Sequence, residues 1–332
     1  MPDRPLSRSR PLPAVRRRTL LAAGLPAAAA ALLAPAGPAR GAPPGSVIGE
    51  ERVGERLLDL TLDSPALGFP AKVRLLTPDG WWDRGTHRRW PVLYVLHGGF
   101  EPLTYRMWTL ETDIQEIQEL RDVLVVMPEA GRVGFYTDWW NGGAGGPPAW
   151  ETFHLDELRP LLERDYGAGR ARAAAGLSMG GFGAVSYAAR RPGMFRAAAS
   201  FSGPVHLLHP DFVESTWPQL EEGHGGSLAA LWGDPREQGD VWRAHDPFAL
   251  APRLRHTAVF LSSGDGHPGA LDPDSPFDPA EVVIRTLNRS LHDRLRALGV
   301  PVTADFHPGT HHPAYGERGL HTALPLLLSG LR

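Results

Sequence analysis

The residues best suited to do chemistry lie in one short run, Gly176-Leu177-Ser178-Met179-Gly180-Gly181-Phe182-Gly183. Ahead of it, 171–177 is a small-residue apolar run that reads as a buried strand; behind it, 184–190 reads as a helix. Gly176-x-Ser178-x-Gly180 between them is the nucleophile-elbow pattern: strand, sharp turn, helix. So tight a turn presses its neighbours against the serine, which leaves no room for side chains at positions 176 and 180. It lifts the hydroxyl clear of the strand, and the first N–H groups of the following helix point at any nearby negative charge.

A serine nucleophile needs a base to take its proton and a carboxylate to orient that base. With this elbow the order along the chain is serine, acid, histidine, and the histidine falls in a loop after the last strand. His311, in Gly309-Thr310-His311-His312-Pro313, stands there, with His312 as its neighbouring rival. Two acids compete. Asp265 closes the strand-like run ending Ser262-Ser263-Gly264, and Glu281 opens the next helix. By position alone Asp265 is favoured. The developing oxyanion needs two N–H donors, each worth about 3 kcal/mol in a transition state. Met179, directly after the serine, supplies one; Gly99 in His97-Gly98-Gly99-Phe100 supplies the other, with Phe100 as the less favoured choice. His206-x-x-His209 has metal-ligand spacing but no evident third ligand, so we expect no metal, and nothing in the sequence calls for a cofactor.

The elements that must hold these groups follow from the hydrophobic pattern. Strand-like runs occur at 57–62, 72–76, 91–96, 123–127, 171–177, 197–202, 258–263 and 302–306. Helical spacing occurs at 108–120, 150–165, 184–190, 281–298 and 320–331. Residues 131–148 are rich in glycine and aromatics and read as a long surface loop; 203–254 reads as a cap-like insertion. Buried strands alternating with helices predict an α/β protein of the α/β-hydrolase fold, with a mostly parallel central sheet and helices on both faces.

The chain has 332 residues, 42% of them hydrophobic, a formal net charge of -3 and no cysteine. That charge gives no pull toward nucleic acid. Without cysteine there is no disulfide, thiol nucleophile or thiolate metal site. Arg16-Arg17-Arg18 precedes an Ala/Leu run to Ala34, then small residues and prolines. We expect residues 1–42 to be a removed export signal, with Arg17-Arg18-Thr19-Leu20-Leu21 of twin-arginine type, and 43–332 to be a single catalytic domain. The expected location is secreted or cell-envelope-associated.

Further segments add a resemblance. Val126-Met127-Pro128, Phe135-Tyr136-Thr137-Asp138-Trp139-Trp140, Trp150-Glu151-Thr152-Phe153 with Glu157-Leu158, the elbow, and Gly309-Thr310-His311 together span Leu93 to the C-terminus. In these the chain resembles the antigen 85-type mycolyltransferases, within the esterase D-like α/β-hydrolases. The resemblance implies acyl-serine chemistry on an acyl or lipid ester, with water, a sugar or glycerol as acceptor and peripheral contact with the cell envelope. It moves the acid to Glu281, seven residues before Asn288, and keeps Asp265 as the alternative. Substrate contacts are expected from His97, Phe100, Trp108, Trp139 and Trp140. The family carries an aspartate where His97 stands and a tryptophan soon after the catalytic histidine, where this chain reads His312-Pro313-Ala314-Tyr315. Both departures weaken trehalose recognition. A strict carboxylesterase of small esters and a non-catalytic matrix-binding protein are the alternatives.

Overall fold

A computed structural model describes residues 45–332 except position 86. The expected export signal lies outside the described residues. Nine strands form one sheet in the order β1-β2-β3-β5-β4-β6-β7-β8-β9. They are β1 (Ser46–Arg52), β2 (Leu57–Asp63), β3 (Ala71–Leu76), β4 (Trp90–Leu96), β5 (Leu124–Pro128), β6 (Ala168–Leu177), β7 (Ala197–Phe201), β8 (Ala258–Ser263) and β9 (Val302–Phe306). The first three run antiparallel to their neighbours, and β5-β4-β6-β7-β8-β9 are parallel. This is the mostly parallel sheet of an α/β-hydrolase. The strand β1 was not anticipated: its residues are largely exposed, so no buried apolar run announces it.

The central strands are buried on both faces, and their side chains alternate between two cores. Val92, Tyr94, Leu96 and Ala174 enter one core; Leu93, Val95, Ala173 and Ala175 enter the other. The alanines of β6 keep both faces shallow where helices press closest. The helix Met179–Arg190 lies on one face and Ala314–Gly330 on the other.

Two helices differ from expectation. The run 108–120 is helical only over Met107–Glu111, followed by an isolated turn at Gln118–Leu120. Thr112 ends it: its backbone is extended, its hydroxyl turns back onto the Trp108 carbonyl, and the next N–H, of Asp113, is taken by Glu317 Oε1 at 2.8 Å. The amphipathic stretch 150–165 is helical but widens into a π-turn over Phe153–Leu158. The insertion 203–254 carries a π-turn (Phe212–Thr216) running into the helix Trp217–His224, then two shorter helices, Ala229–Trp232 and Gly239–Arg243. Trp217, Trp232 and Trp242 pack on one another inside it, with ring centroids 4.7–5.8 Å apart, Trp217 and Trp232 stacked and Trp242 edge-on to both. They pack the insertion from within, and Trp217 also lines a small surface cavity of the insertion. Among the described residues no helix is long and apolar enough to cross a membrane.

Candidate active site

Ser178 stands between β6 and its helix at φ 55°, ψ −120°, a conformation that side-chain-bearing residues rarely adopt. Tertiary contacts hold it there. Its N–H donates to the Phe201 carbonyl at the end of β7 (2.8 Å), and its carbonyl accepts from Phe182 (3.1 Å). The flanking glycines answer to close approach. A Cβ at position 176 would lie 2.4 Å from the Gly180 backbone, and one at 180 would lie 2.2 Å from the Leu96 carbonyl. The chain crosses itself with no room for a methyl group.

His311 sits in the loop after β9. Its Nδ1 meets Glu281 Oε2 at 2.6 Å, and the Glu281 side chain is fully buried. The other oxygen, Oε1, accepts from Ser202 Oγ and from the Gly264 N–H, both at 2.7 Å. Glu281 is thus fixed at both oxygens. Burial alone would lower the His311 pKa; the hydrogen bond to Glu281, its charge and that of Asp278 outweigh this, and the net shift is upward. Asp265, the alternative acid, is not brought to His311. It accepts from the N–H groups of His267 and Gly309, with Arg285 3.9 Å away, and these partners shape the loop around it. Among the described residues, Ser178 Oγ and His311 Nε2 form no hydrogen bond, to each other or elsewhere. Both residues line one cavity. Such bonds often close only once substrate is bound.

Two aspartates hold the histidine loop, and sequence reasoning missed both. Asp278 caps the helix Pro279–Ala297, accepting from Ala280 and Glu281 through Oδ1, while its Oδ2 accepts from the His311 N–H at 3.0 Å. One side chain therefore ties the acid's helix to the histidine. The Asp-Pro pair opening a helical run was a readable N-cap signal. Asp272 binds the Thr310 N–H and hydroxyl, the Gly269 N–H and the Tyr315 hydroxyl, and these donors pull its pKa down to about 2. Nothing local in the sequence marks Asp272, because its partners lie up to 43 residues away.

At the opposite wall, the Phe100 N–H donates to the Arg132 carbonyl at 2.7 Å and is spent. The Gly99 N–H has no partner among the described residues, and Gly99 packs against Met179. Met179 is the first residue of its helix, where an N–H has no intrahelical acceptor. These two N–H groups are the ones free to meet an oxyanion.

The expected substrate contacts need correction. His97 is fully buried and lines none of the described cavities. Its Nε2 accepts the Ala130 N–H at 2.9 Å, so Nδ1 carries the proton and donates to the Gly98 carbonyl at 2.7 Å. Burial pushes its pKa down to about 4. It anchors the Gly98-Gly99 loop from behind. Trp108 is buried too, donating Nε1 to the Leu96 carbonyl. Trp139 and Trp140 lie in the loop before Pro148 and line no described cavity. Of the five, Phe100 alone lines the cavity beside Ser178.

That cavity holds about 330 Å³ and is walled mainly by apolar side chains, among them Phe135, Phe212, Leu220 and Ile284. Phe135 sits at φ 48°, and its N–H points to Met179 Sδ. The next residue, Tyr136, donates its hydroxyl to the His97 carbonyl. The aromatic motif at 135–140 thus contributes one wall residue and one loop tether. Phe212 and Leu220 come from the insertion, whose loose pattern had marked none of them. His206 and His209 do not gather a third ligand: His206 bonds Ser290 Oγ and stacks on Phe248.

An elbow serine, a carboxylate-paired histidine after the last strand and a sheet of this order define the protein's class: an α/β-hydrolase. Residues 64–327 match the family described as "Putative esterase". The chain belongs to that family. It is 32% identical over 266 residues to Esterase Rv1288 of Mycobacterium tuberculosis, covering 77% of this chain and 56% of the relative. The chain therefore spans about half the length of that relative. It is 31% identical over 282 residues to diacylglycerol acyltransferase/mycolyltransferase Ag85B of Mycolicibacterium smegmatis, with 80% of this chain and 82% of the relative covered. Among solved structures it resembles Mycobacterium tuberculosis MPT51, with a TM-score of 0.65 at 22% identity over 82% of this chain and 98% of that one. An S-formylglutathione hydrolase from Agrobacterium tumefaciens gives a TM-score of 0.63 at 17% identity, covering 86% of this chain and 99% of that one.

Proposed function

We propose that the protein is a serine esterase or acyltransferase acting on carboxylic esters through an acyl-serine intermediate. The observation that carries this reading is the His311–Glu281 pair at 2.6 Å beside a cavity that Ser178 and His311 share. In the proposed cycle Ser178 Oγ attacks the ester carbonyl and passes its proton to His311 Nε2. Glu281 holds the Nδ1–H and stabilises the imidazolium. The N–H groups of Gly99 and Met179 receive the oxyanion. The carbonyl re-forms, the C–O bond to the alcohol breaks, and His311 returns the proton to the leaving oxygen. A water or a second alcohol, deprotonated by His311, then attacks the acyl carbon and releases Ser178.

The cavity bears on the acyl group. Its mainly apolar lining, Phe135, Phe212, Leu220 and Ile284 among it, suits a hydrocarbon chain. The enclosed His97 cannot touch an acceptor sugar, which favours water or a small alcohol as acceptor. For location we propose export through the segment at 16–34, by the twin-arginine route.

The test is labelling with a fluorophosphonate, with and without Ser178→Ala, followed by 4-nitrophenyl esters from two to sixteen carbons. We expect labelling that Ser178→Ala abolishes, and kcat/KM higher for esters with an apolar acyl chain than for the acetate. Labelling that survives Ser178→Ala removes the enzyme reading. Adding glycerol or trehalose and looking for transfer product decides the acceptor.

A further inference from the structure

Asp113 follows the helix Met107–Glu111, and Glu317 and His321 stand one turn apart on the helix Ala314–Gly330. No spacing rule flags the three together, since Asp113 and His321 lie 208 residues apart. Residues four apart share a helix face, so Glu317 and His321 are neighbours on one side of their helix. His321 Nε2 lies 2.9 and 3.0 Å from the two Asp113 carboxylate oxygens. Glu317 Oε1 accepts the Asp113 N–H at 2.8 Å, and its other oxygen has no partner among the described residues. One ligand atom from each of the three residues lies within 4.8 Å of the other two.

Two carboxylates held this close repel, and elsewhere the fold answers with arginine. Arg191 bridges Glu151 and Asp156, and Arg190 adds a second cation on Glu151. Among the described residues no lysine or arginine pairs with Asp113 or Glu317. The basic side chain they do share, His321, is a metal ligand in its neutral form.

We propose that Asp113, Glu317 and His321 form a binding site for a divalent cation of the Zn2+ type. Carboxylate oxygens with an imidazole nitrogen suit this ion, and water completes the four-coordinate set. Ligand atoms around a tetrahedral zinc stand about 3.4 Å apart. His321 and Asp113 therefore open by a few tenths of an ångström while Glu317 closes in. The His321 and Asp113 side chains are 45% and 44% exposed, which leaves room for that adjustment. The ion clasps the segment after Met107–Glu111 to the helix that Pro313 caps, and Met107 and Pro313 both line the cavity beside Ser178. Bound metal thus ties together two pieces of that cavity's wall.

The test uses the full chain without a histidine tag, titrated by calorimetry with Zn2+ and separately with Mg2+, beside Glu317→Gln and His321→Gln. Glutamine at either position can still hydrogen-bond the Asp113 segment, but it removes a ligand. We expect the wild type to bind one more Zn2+ per chain than either variant, at micromolar concentration, and to take up no Mg2+ there. Its thermal midpoint should rise by about 5 °C at a hundredfold excess over Kd, and the variants' midpoints should not. A wild type that takes up no Zn2+ at micromolar concentration overturns the proposal without needing a variant. Equal Zn2+ stoichiometry in wild type and variants, or a midpoint shift that the variants keep, overturns it too and leaves the cluster an ordinary surface ion pair. Neither readout uses ester hydrolysis, so the outcome is independent of the esterase reading.

Discussion

Two loops face each other across the cavity, one with a buried histidine and one with a half-buried histidine, and their chemistry diverges. The loop after β4 holds His97 between two backbone groups, the Gly98 carbonyl and the Ala130 N–H. Its environment offers no negative charge at hydrogen-bonding distance, and burial drives its pKa down to about 4. The loop after β9 holds His311 against the Glu281 carboxylate, with Asp278 nearby, and there the net shift is upward. The same side chain is a fixed neutral strut in one place and, in the proposed cycle, the proton acceptor in the other. Desolvation pushes both downward. The identity of the partner, dipole or charge, decides the outcome.

The comparison can be broken or sharpened in order of effect. Ser178→Ala removes the group both loops serve, and we expect kcat to fall by roughly 10⁴-fold or more, read by ester hydrolysis. Glu281→Gln gives His311 a neutral partner, making it resemble His97. Activity should drop by roughly 10³-fold, while Asp265→Asn stays within about threefold. Loss in Asp265→Asn with Glu281→Gln near wild type would reverse the assignment of the acid.

The pH profile carries the same contrast. His311 must be neutral to accept a proton, so kcat/KM should fall as pH drops through its raised pKa, a limb above the ordinary 6.5. Residual activity in Glu281→Gln should show that limb moved to lower pH. In stability, the raised His311 contribution is fully present below about 6.5 and fades as pH rises through the folded-state value. His97 and the buried His154, held down to about 4 and about 3, act with the opposite sign. Below about pH 6.5 the unfolded chain takes up protons that these two refuse, which on full acidification costs about 3 kcal/mol for His97 and about 5 kcal/mol for His154. Urea midpoints should therefore decline steadily from pH 6.5 to pH 4. A midpoint flat over that range would contradict the assignment of His97 as a neutral strut.

A smaller effect is expected from Asp278→Ala. It removes a helix cap, about 1 kcal/mol by thermal unfolding, and frees the His311 backbone. Activity should fall by roughly tenfold. Asp278→Asn, which still caps the helix, should recover most of the stability.

The sequence by itself determined the elbow, the chain order of the candidate site and the buried parallel strands. Each rests on a short-range signal: glycines two residues either side of a serine, continuous apolar runs, a histidine just past the last strand. The Asp265 and Glu281 alternatives were also visible, but both sat where an acid could sit. Only the tertiary structure shows which of them meets His311: the Glu281 helix packs against β8 and β9, and its carboxylate there meets Ser202, Gly264 and His311. His97 and Trp108 were misread for the related reason that an aromatic or imidazole ring can pack inward or face a ligand equally well. The cavity wall was the least legible part. Phe212, Thr216 and Leu220 share it through a π-turn, and neither helix nor strand periodicity encodes that spacing.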